Sequence, residues 1–488
     1  SLEFFLVNGR TFLVCFSTND FLKVHSFIQK FKLSNIQIIQ EQPSLELFAR
    51  FPITVRWVKG LISNFEYLMK LNILGGRTFN DQRHYPIFPS VIQNFDIKNV
   101  HEILIPKSTL PNPKDSTVAL PEYFFLPYSH NNDFDFIYQH RKILESPFIS
   151  EHLNLFIDYI FGYKIQKNSL NEKLFLHPHP TKKIISPTIP NKSFKLRLKD
   201  VRIKFCSLFK TEPTVFYLTI LMNDDKFKLL RIETSPTIKA SLINQEFDIP
   251  FSKKCIFSGY GKKVVVYNPS KYALQVIRGL ENSETMFLKI DKKHLICGDT
   301  TVLYCYDDCC VCSKSFSSET NKILYQSNTP IFYLASQPQF KIFIIVTIEN
   351  ILSVHSSLTG EIVNSLKINS EIEHIIATLK WCLINVFTNE EIIILSVNGE
   401  LLKKVPNSYK IKSIFTFSTC TCFDYIVFVD ELLNIYMFES YYPEKIEQIG
   451  KADSVVKFVL YDPTISSIIL ICNNGIIQII PHKQIEYV

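Results

Sequence analysis

The densest group of side chains able to do chemistry is a set of thiols: Cys305, Cys309, Cys310 and Cys312, with Cys297 nearby. Thiolates hold zinc when a loop brings two separated pairs together. Here the thiols straddle the end of a strand-like run, LYCYDDCCVCSK, and alternation along a strand sends neighbours to opposite faces. Core and surface cysteines are the expectation, with no bound metal. His177 and His179 in HPHP stand two apart in a proline-rigid segment without thiol or carboxylate companions, so packing accounts for them better than ligation. Arg141 and Glu145, beside His140, have the spacing of an ordinary helix-surface ion pair. Asp133 and Asp135 fall where a loop is expected and lack a second acid at a defined separation. No nucleophile elbow, phosphate-binding glycine loop or kinase signature occurs. These residues point away from an enzyme and call for no cofactor and no small-molecule substrate.

The elements that would have to position a site are those of a folded, multidomain chain. Its 488 residues are 46% hydrophobic and 20% charged, enough for two or three domains with sizeable cores. A net charge of +7 is modest for this length and gives no indication of nucleic-acid binding. Twelve cysteines without framework spacing are the usage of a reducing, cytoplasmic setting. The apolar run Phe4–Val7 is broken by Asn8-Gly9-Arg10, and no run approaches the length of a membrane span. Ser1 opens in the middle of a strand-like pattern, so the chain reads as an excerpt of a longer protein.

The most informative stretch runs from Trp57 to Pro89. Ser63 followed by Glu66 is a capping box, and Phe65, Leu68, Met69 and Ile73 follow at helical spacing. Gly75-Gly76 ends that helix. Arg77, Thr78, Phe79, Asn80, Asp81, Gln82 and Tyr85 then crowd a segment closed by Pro86 and Pro89. Such a segment is expected to be irregular and partly buried, its amides met by side chains.

ISNFEYLMKLN followed by GRTFNDQRHYPIFP resembles the signature of the BEACH (beige and Chediak–Higashi) domain. PEYFFLP at 121–127, the run ending LFIDYIFGYK and the segment NEKLFLHPHPTKK resemble later parts of that domain. The chain between these landmarks is shorter than in the family, so the expected module, residues 40–180, is reduced, mainly helical and irregular. SLEFFLVNGRTFLVCF, a hairpin around Asn8-Gly9, resembles the last strands of the pleckstrin-homology-like domain that precedes BEACH, with 1–31 as its remnant. The resemblance marks Ser63, Asn64, Phe65, Glu66, Arg77, Phe79, Asn80, Asp81, Tyr85 and Pro86 as structural or partner-binding. It also implies that Asn64, Arg77 and Asp81 are mostly buried and bonded to backbone, so that Asp81→Ala would unsettle this module.

Residues 181–204 read as a basic linker. A solvated connector is the plain reading; the sharper one makes Lys182, Lys183, Lys192, Lys195 and Arg197 a membrane contact on acidic headgroups. From 205 to 488 a turn followed by alternating β-formers recurs about every forty residues, the period of a four-stranded propeller blade. The copies are NDDKFKLLRI, GYGKKVVVYN, CGDTTVLYCY, TIENILSVHS, TNEEIIILSV, VDELLNIYMF and CNNGIIQIIP. Tyr267-Asn268, Tyr306-Asp307 and His355-Ser356 would occupy the Trp-Asp position of WD repeats. Seven copies predict a closed seven-bladed propeller, with SFKLRLKD (193–200) completing the last blade beside 476–480. The fold class is thus a small α/irregular BEACH-like module followed by an all-β propeller. The resemblance implies a non-enzymatic scaffold for vesicle or lysosome-related traffic, cytoplasmic and peripheral on endomembranes, with protein partners on both surfaces. The alternative is a soluble propeller adaptor in a signalling or ubiquitin-ligase assembly.

Overall fold

A computed structural model describes residues 2–5, 11–30, 52–91, 119–121, 124, 131–162, 164, 174–182, 193–198, 201–212, 214–222, 226–235, 237–248, 255–260, 263–268, 271–278, 282–287, 295–298, 300–316, 321–419, 421 and 423–482. The chain divides into two compact units, one ending at Ile185 and the other running from Ser186 to Glu486.

The first unit opens with a hairpin of Leu2–Phe5 and Thr11–Val14, in the register Leu2 opposite Val14, followed by helix α1, Thr18–Lys30. Its centre is built by α2 (Ile53–Val58), α3 (Asn64–Leu74), α4 (Asn131–Leu144) and α5 (Pro147–Ile160). Helix α3 starts where the capping box places it: Ser63 accepts the N–H of Glu66, and the Glu66 carboxylate accepts the N–H of Ser63. It stops at Gly75-Gly76, Gly76 taking the left-handed φ of +74°. Ser146 caps α5, with Pro147 in its first turn, where a missing N–H costs nothing. Trp57, Tyr67, Leu68, Leu71, Phe88, Phe124, Ile149, Leu153 and Phe161 form one buried cluster. Asp133 and Asp135 lie in the first turns of α4 rather than on a loop, because the helix begins at Asn131.

Among the described residues of the second unit, strands form seven four-stranded antiparallel sheets. The inner strands of blades 1 to 7 are Ile203–Glu212, Ile256–Tyr260, Leu295–Cys297, Ile331–Gln337, Ile372–Ala377, Ile411–Ser418 and Val456–Asp462. Each inner strand touches the next, and that of blade 7 touches that of blade 1, so the ring is closed. Strand Phe194–Arg197 is the outer strand of blade 7, with Phe194 opposite Ile479 and Arg197 opposite Ile476. Closure sets the ring's inner strands against one another's blades and leaves the outer strands as its edges among the described residues.

The seven copies each fall in a different blade, but not at the same place in it. Five contain a blade's third strand, whereas GYGKKVVVYN and CGDTTVLYCY contain the second strands Lys263–Asn268 and Thr301–Tyr306. His355-Ser356 therefore ends a third strand, while Tyr267-Asn268 and Tyr306-Asp307 end second strands. Both turns of a blade carry polar residues before an alternating strand, so periodicity counts blades without identifying the strand. The cysteines separate as alternation requires: Cys305 packs in one core, and Cys297, Cys310 and Cys312 in another.

The closing turn depends on Gly475. Its φ is +77°, its carbonyl accepts the N–H of Leu198, and an added Cβ would come within 2.5 Å of the Val201 carbonyl oxygen. Gly475→Ala should lower propeller stability by more than about 1 kcal/mol. The two tryptophans make this measurable: Trp381 reports the propeller and Trp57 the first unit. A denaturant titration should show the Trp381 transition moving and the Trp57 transition staying.

Candidate functional site

The signature stretch is two things in space. Its first half, residues 63–72, is core. Asn64 is fully buried, and its side chain has a partner at every polar atom: Nδ2 donates to the Leu144 carbonyl and to Ser150 Oγ, both at 2.8 Å. Its Oδ1 accepts from Trp57 Nε1 at 2.9 Å and from Lys182 Nζ at 3.1 Å. Asn72 does the same for the second half, donating to Leu68 and Ile87 carbonyls and accepting the Ile87 N–H. It thereby ties the segment beyond the helix back to α3.

Glu145 is the acceptor around which this core is arranged. Its two carboxylate oxygens take the N–H groups of Asn64 (2.8 Å) and Phe65 (2.9 Å), the first two donors of α3. A helix N-terminus favours such an anion. Arg141 stands behind it, Nε at 3.5 Å from Glu145 Oε1, Nη1 donating to the Phe124 carbonyl, and the guanidinium 3.6 Å from the Phe65 ring centroid. Sequence spacing suggested a surface ion pair. Both residues are in fact buried, because α4 ends against the start of α3.

Tyr67 stacks on Trp57 at 4.7 Å and meets His179 through a 2.6 Å hydrogen bond to Nε2. His179 Nδ1 donates to the Pro180 carbonyl, so Nε2 carries the lone pair and accepts the tyrosine proton. Burial holds the imidazole neutral, lowering its pKa to about 4, and raises the Tyr67 hydroxyl well above its usual range. Asp158, its carboxyl raised by burial, accepts the His179 N–H at 2.7 Å. His179 is thus a packed core histidine, whereas His177 is exposed. His140, its pKa also lowered to about 4 by burial, donates from Nδ1 to the Phe136 carbonyl of its own helix.

The second half of the signature is a surface turn. Arg77 is half-buried and donates to the Tyr85 carbonyl at 3.2 Å, while Phe79 and Tyr85 meet edge to face. Asn80 is exposed and Pro86 buried. Asp81 departs from expectation. Its side chain is about one-third exposed, caps the short turn Gln82–His84 through the Arg83 N–H, and bonds His84. The bonds to Arg83 and His84 hold its carboxyl below the usual range.

The described residues of the basic run differ in their engagement. Lys182 is engaged with Asn64 and Lys195 with Asp453, while Arg197 is exposed on the closing strand. Lys183 and Lys192 lie outside the described residues. Among the described residues no group of histidine, cysteine and acidic side chains could hold a metal ion, and no helix is long and apolar enough to cross a membrane.

Sequence reasoning missed Asn72 and misplaced Glu145, which its spacing from Arg141 put on a helix surface. A local sign of its role is its place directly before Ser146-Pro147, which starts the next helix. Glu145→Ala would leave two main-chain donors and Arg141 without their anion, and should cost the first unit about 3 kcal/mol. Asp81→Ala should leave its midpoint close to the parent's. Trp57 fluorescence in a Trp381→Phe background reads both. The same background tests the histidines. The unfolded imidazoles protonate near pH 6.5 and the folded ones near 4, so their contribution is full above pH 6.5 and drains as pH falls towards 4. The Trp57 melting midpoint should drop between about pH 7.5 and about pH 5, and drop less in His179→Gln.

Parts of the chain are similar to known proteins. Residues 55–108 and 99–206 match the family model of the Beige/BEACH domain. The BEACH domain-containing protein lvsE of Dictyostelium discoideum is 28% identical over 177 residues, covering 32% of this chain and 8% of that protein. Beige protein homolog 1 of Saccharomyces cerevisiae is 50% identical over 58 residues, 12% of this chain and 3% of its own length. The match therefore spans less than a tenth of either relative. Among solved structures, the WD40 β-propeller domain of Doa1 is similar at 10% identity and TM-score 0.41, covering 61% of this chain and 98% of that one. The β-propeller domain of Myceliophteria thermophila Cps50 is similar at 9% identity and TM-score 0.44, covering 59% and 100%. Residues 55–206 are thus similar to the BEACH domain, and a seven-bladed β-propeller makes up the second unit.

Proposed function

We propose that the chain is a non-catalytic scaffold of vesicle or lysosome-related traffic, working at cytosolic membrane faces and binding protein partners through its propeller. The observation that carries this reading is the way the signature residues are used. Ser63, Asn64, Glu66 and Asn72, with Glu145 and Arg141, spend their hydrogen bonds on main chain and on neighbouring side chains of the same unit. Polar groups satisfied in this way build a rigid support and offer little to a reacting substrate. The likeness to beige-type proteins supplies the membrane-traffic part of the reading.

A soluble adaptor is the second reading, and one observation favours it: Lys182 and Lys195 are occupied by Asn64 and Asp453. Fewer cations then remain for acidic headgroups, each contributing about 1 kcal/mol near an anionic surface. Flotation of the full chain with vesicles separates the two. On the scaffold reading the chain floats with phosphatidylserine vesicles at low salt and is released as salt shortens the screening length from about 10 Å at 0.1 M. A tagged chain should also decorate vesicles in cells. No flotation at any salt, together with a diffuse cellular distribution, moves the protein to the soluble reading.

A further inference from the structure

Five of the seven inner strands share one irregularity. Just after the first residue of the strand, pairing with the neighbouring strand skips a residue: Lys204 on blade 1, Phe332 on blade 4, Glu373 on blade 5, Lys412 on blade 6 and Lys457 on blade 7. A bulged residue leaves the ladder and its side chain is re-aimed. The residues before them, Ile203, Ile331, Ile372, Ile411 and Val456, are buried. The bulged residues themselves are exposed, Lys457 partly so. Neighbouring blades cover both faces of an inner strand, so residues exposed at its start ring the mouth of the central channel.

The charge around that mouth is divided. Blades 6, 7 and 1 are consecutive in the ring, and their inner strands touch. All three place lysine at the bulge, and exposed Lys410 and Arg202 precede those of blades 6 and 1 by two residues. Among the described residues the ammonium groups of Lys410, Lys412 and Lys457 meet no partner. Blade 5 carries the opposite sign, Glu371 and Glu373. The turns between second and third strands lie at this same end, since Ile348, Asn389 and Glu431 donate their N–H groups to Pro330, Glu371 and Lys410 carbonyls. Those turns carry exposed Glu349, Glu390 and Glu431.

We propose that the crescent of Lys204, Lys412 and Lys457, flanked by Arg202 and Lys410, binds an acidic peptide segment of a partner protein. Complementary charge would steer and register the segment across blades 6, 7 and 1. A flat anionic membrane laid on this face would meet the carboxylates of Glu349, Glu390 and Glu431 as well as the lysines. An extended strand is narrow enough to reach the mouth and avoid them. Exposed Phe332 and Ile348 on blade 4 give an apolar residue of the same segment a place to rest. The proposal rests on the scaffold reading only in taking the propeller as the partner-binding part, and vesicle association can fail without it.

The test is fluorescence anisotropy of a short fluorescein-labelled polyglutamate peptide titrated with the full chain at low salt. A glycine-serine peptide of equal length and phosphatidylserine vesicles serve as the other probes. The polyglutamate should bind and the glycine-serine peptide should not. The triple reversal Lys204→Glu, Lys412→Glu and Lys457→Glu should weaken binding by about tenfold or more. Reversal of Lys239, Lys367 and Lys451, exposed on outer strands, should leave it near the parent value. Trp381 fluorescence checks that each variant is folded. Absence of polyglutamate binding, equal loss in both triple variants, or vesicle binding lost in the crescent variant while peptide binding persists would overturn the proposal.

Discussion

The carboxylate of Glu145 accepts the first two N–H groups of α3, and the rest of the first unit follows from that contact. It fixes the end of α4 against the start of α3, which puts Ser150 and the Leu144 carbonyl within reach of Asn64. Asn64 then holds Trp57, and Trp57 stacks on Tyr67, which closes on His179. A buried carboxylate costs several kcal/mol of desolvation unless donors surround it. Here the donors are main-chain groups that a helix N-terminus leaves unpaired in any case.

The propeller uses the same device. Asp424, at the start of a blade 6 strand, is fully buried and accepts the N–H groups of Lys380 and Trp381 from the first turn of blade 5, together with the Ser418 hydroxyl. Burial raises its carboxyl pKa and these donors oppose the rise. Adjacent blades also meet through aliphatic faces, which specify distance but tolerate sliding. A carboxylate bound to a neighbouring turn removes that freedom. In both units a buried acid joins segments that apolar packing alone would leave free to shift.

The elements legible in the sequence were those whose cause is local. Ser63 and Glu66 are three residues apart, and their reciprocal bonds need nothing else. The Gly75-Gly76 stop is equally self-contained. The number of blades was legible because each must bury its own alternating strands. The closing strand was legible because a ring needs a partner for 476–480. What could not be read depends on distant partners. Nothing near Asn64 says that Ser150 and Lys182 will meet it. Arg77 and Asp81 look alike as polar residues in one segment, yet one reaches the Tyr85 carbonyl and the other caps a surface turn. The lysines of 181–204 read as one solvated strip until Asn64 and Asp453 are seen to occupy two of them.

The bulges show how a repeat can conserve geometry while it varies chemistry. At the start of five inner strands the backbone needs one residue outside the ladder, and its side chain leaves the core. Packing places little demand on that residue, so lysine, glutamate and phenylalanine all occupy it without changing the blade. The residue before it is aliphatic every time, because it is buried between blades. Each blade therefore carries one position fixed by the ring beside one that the ring leaves open. A partner reads only the open positions, and their sequence around the channel sets the charge pattern that it meets.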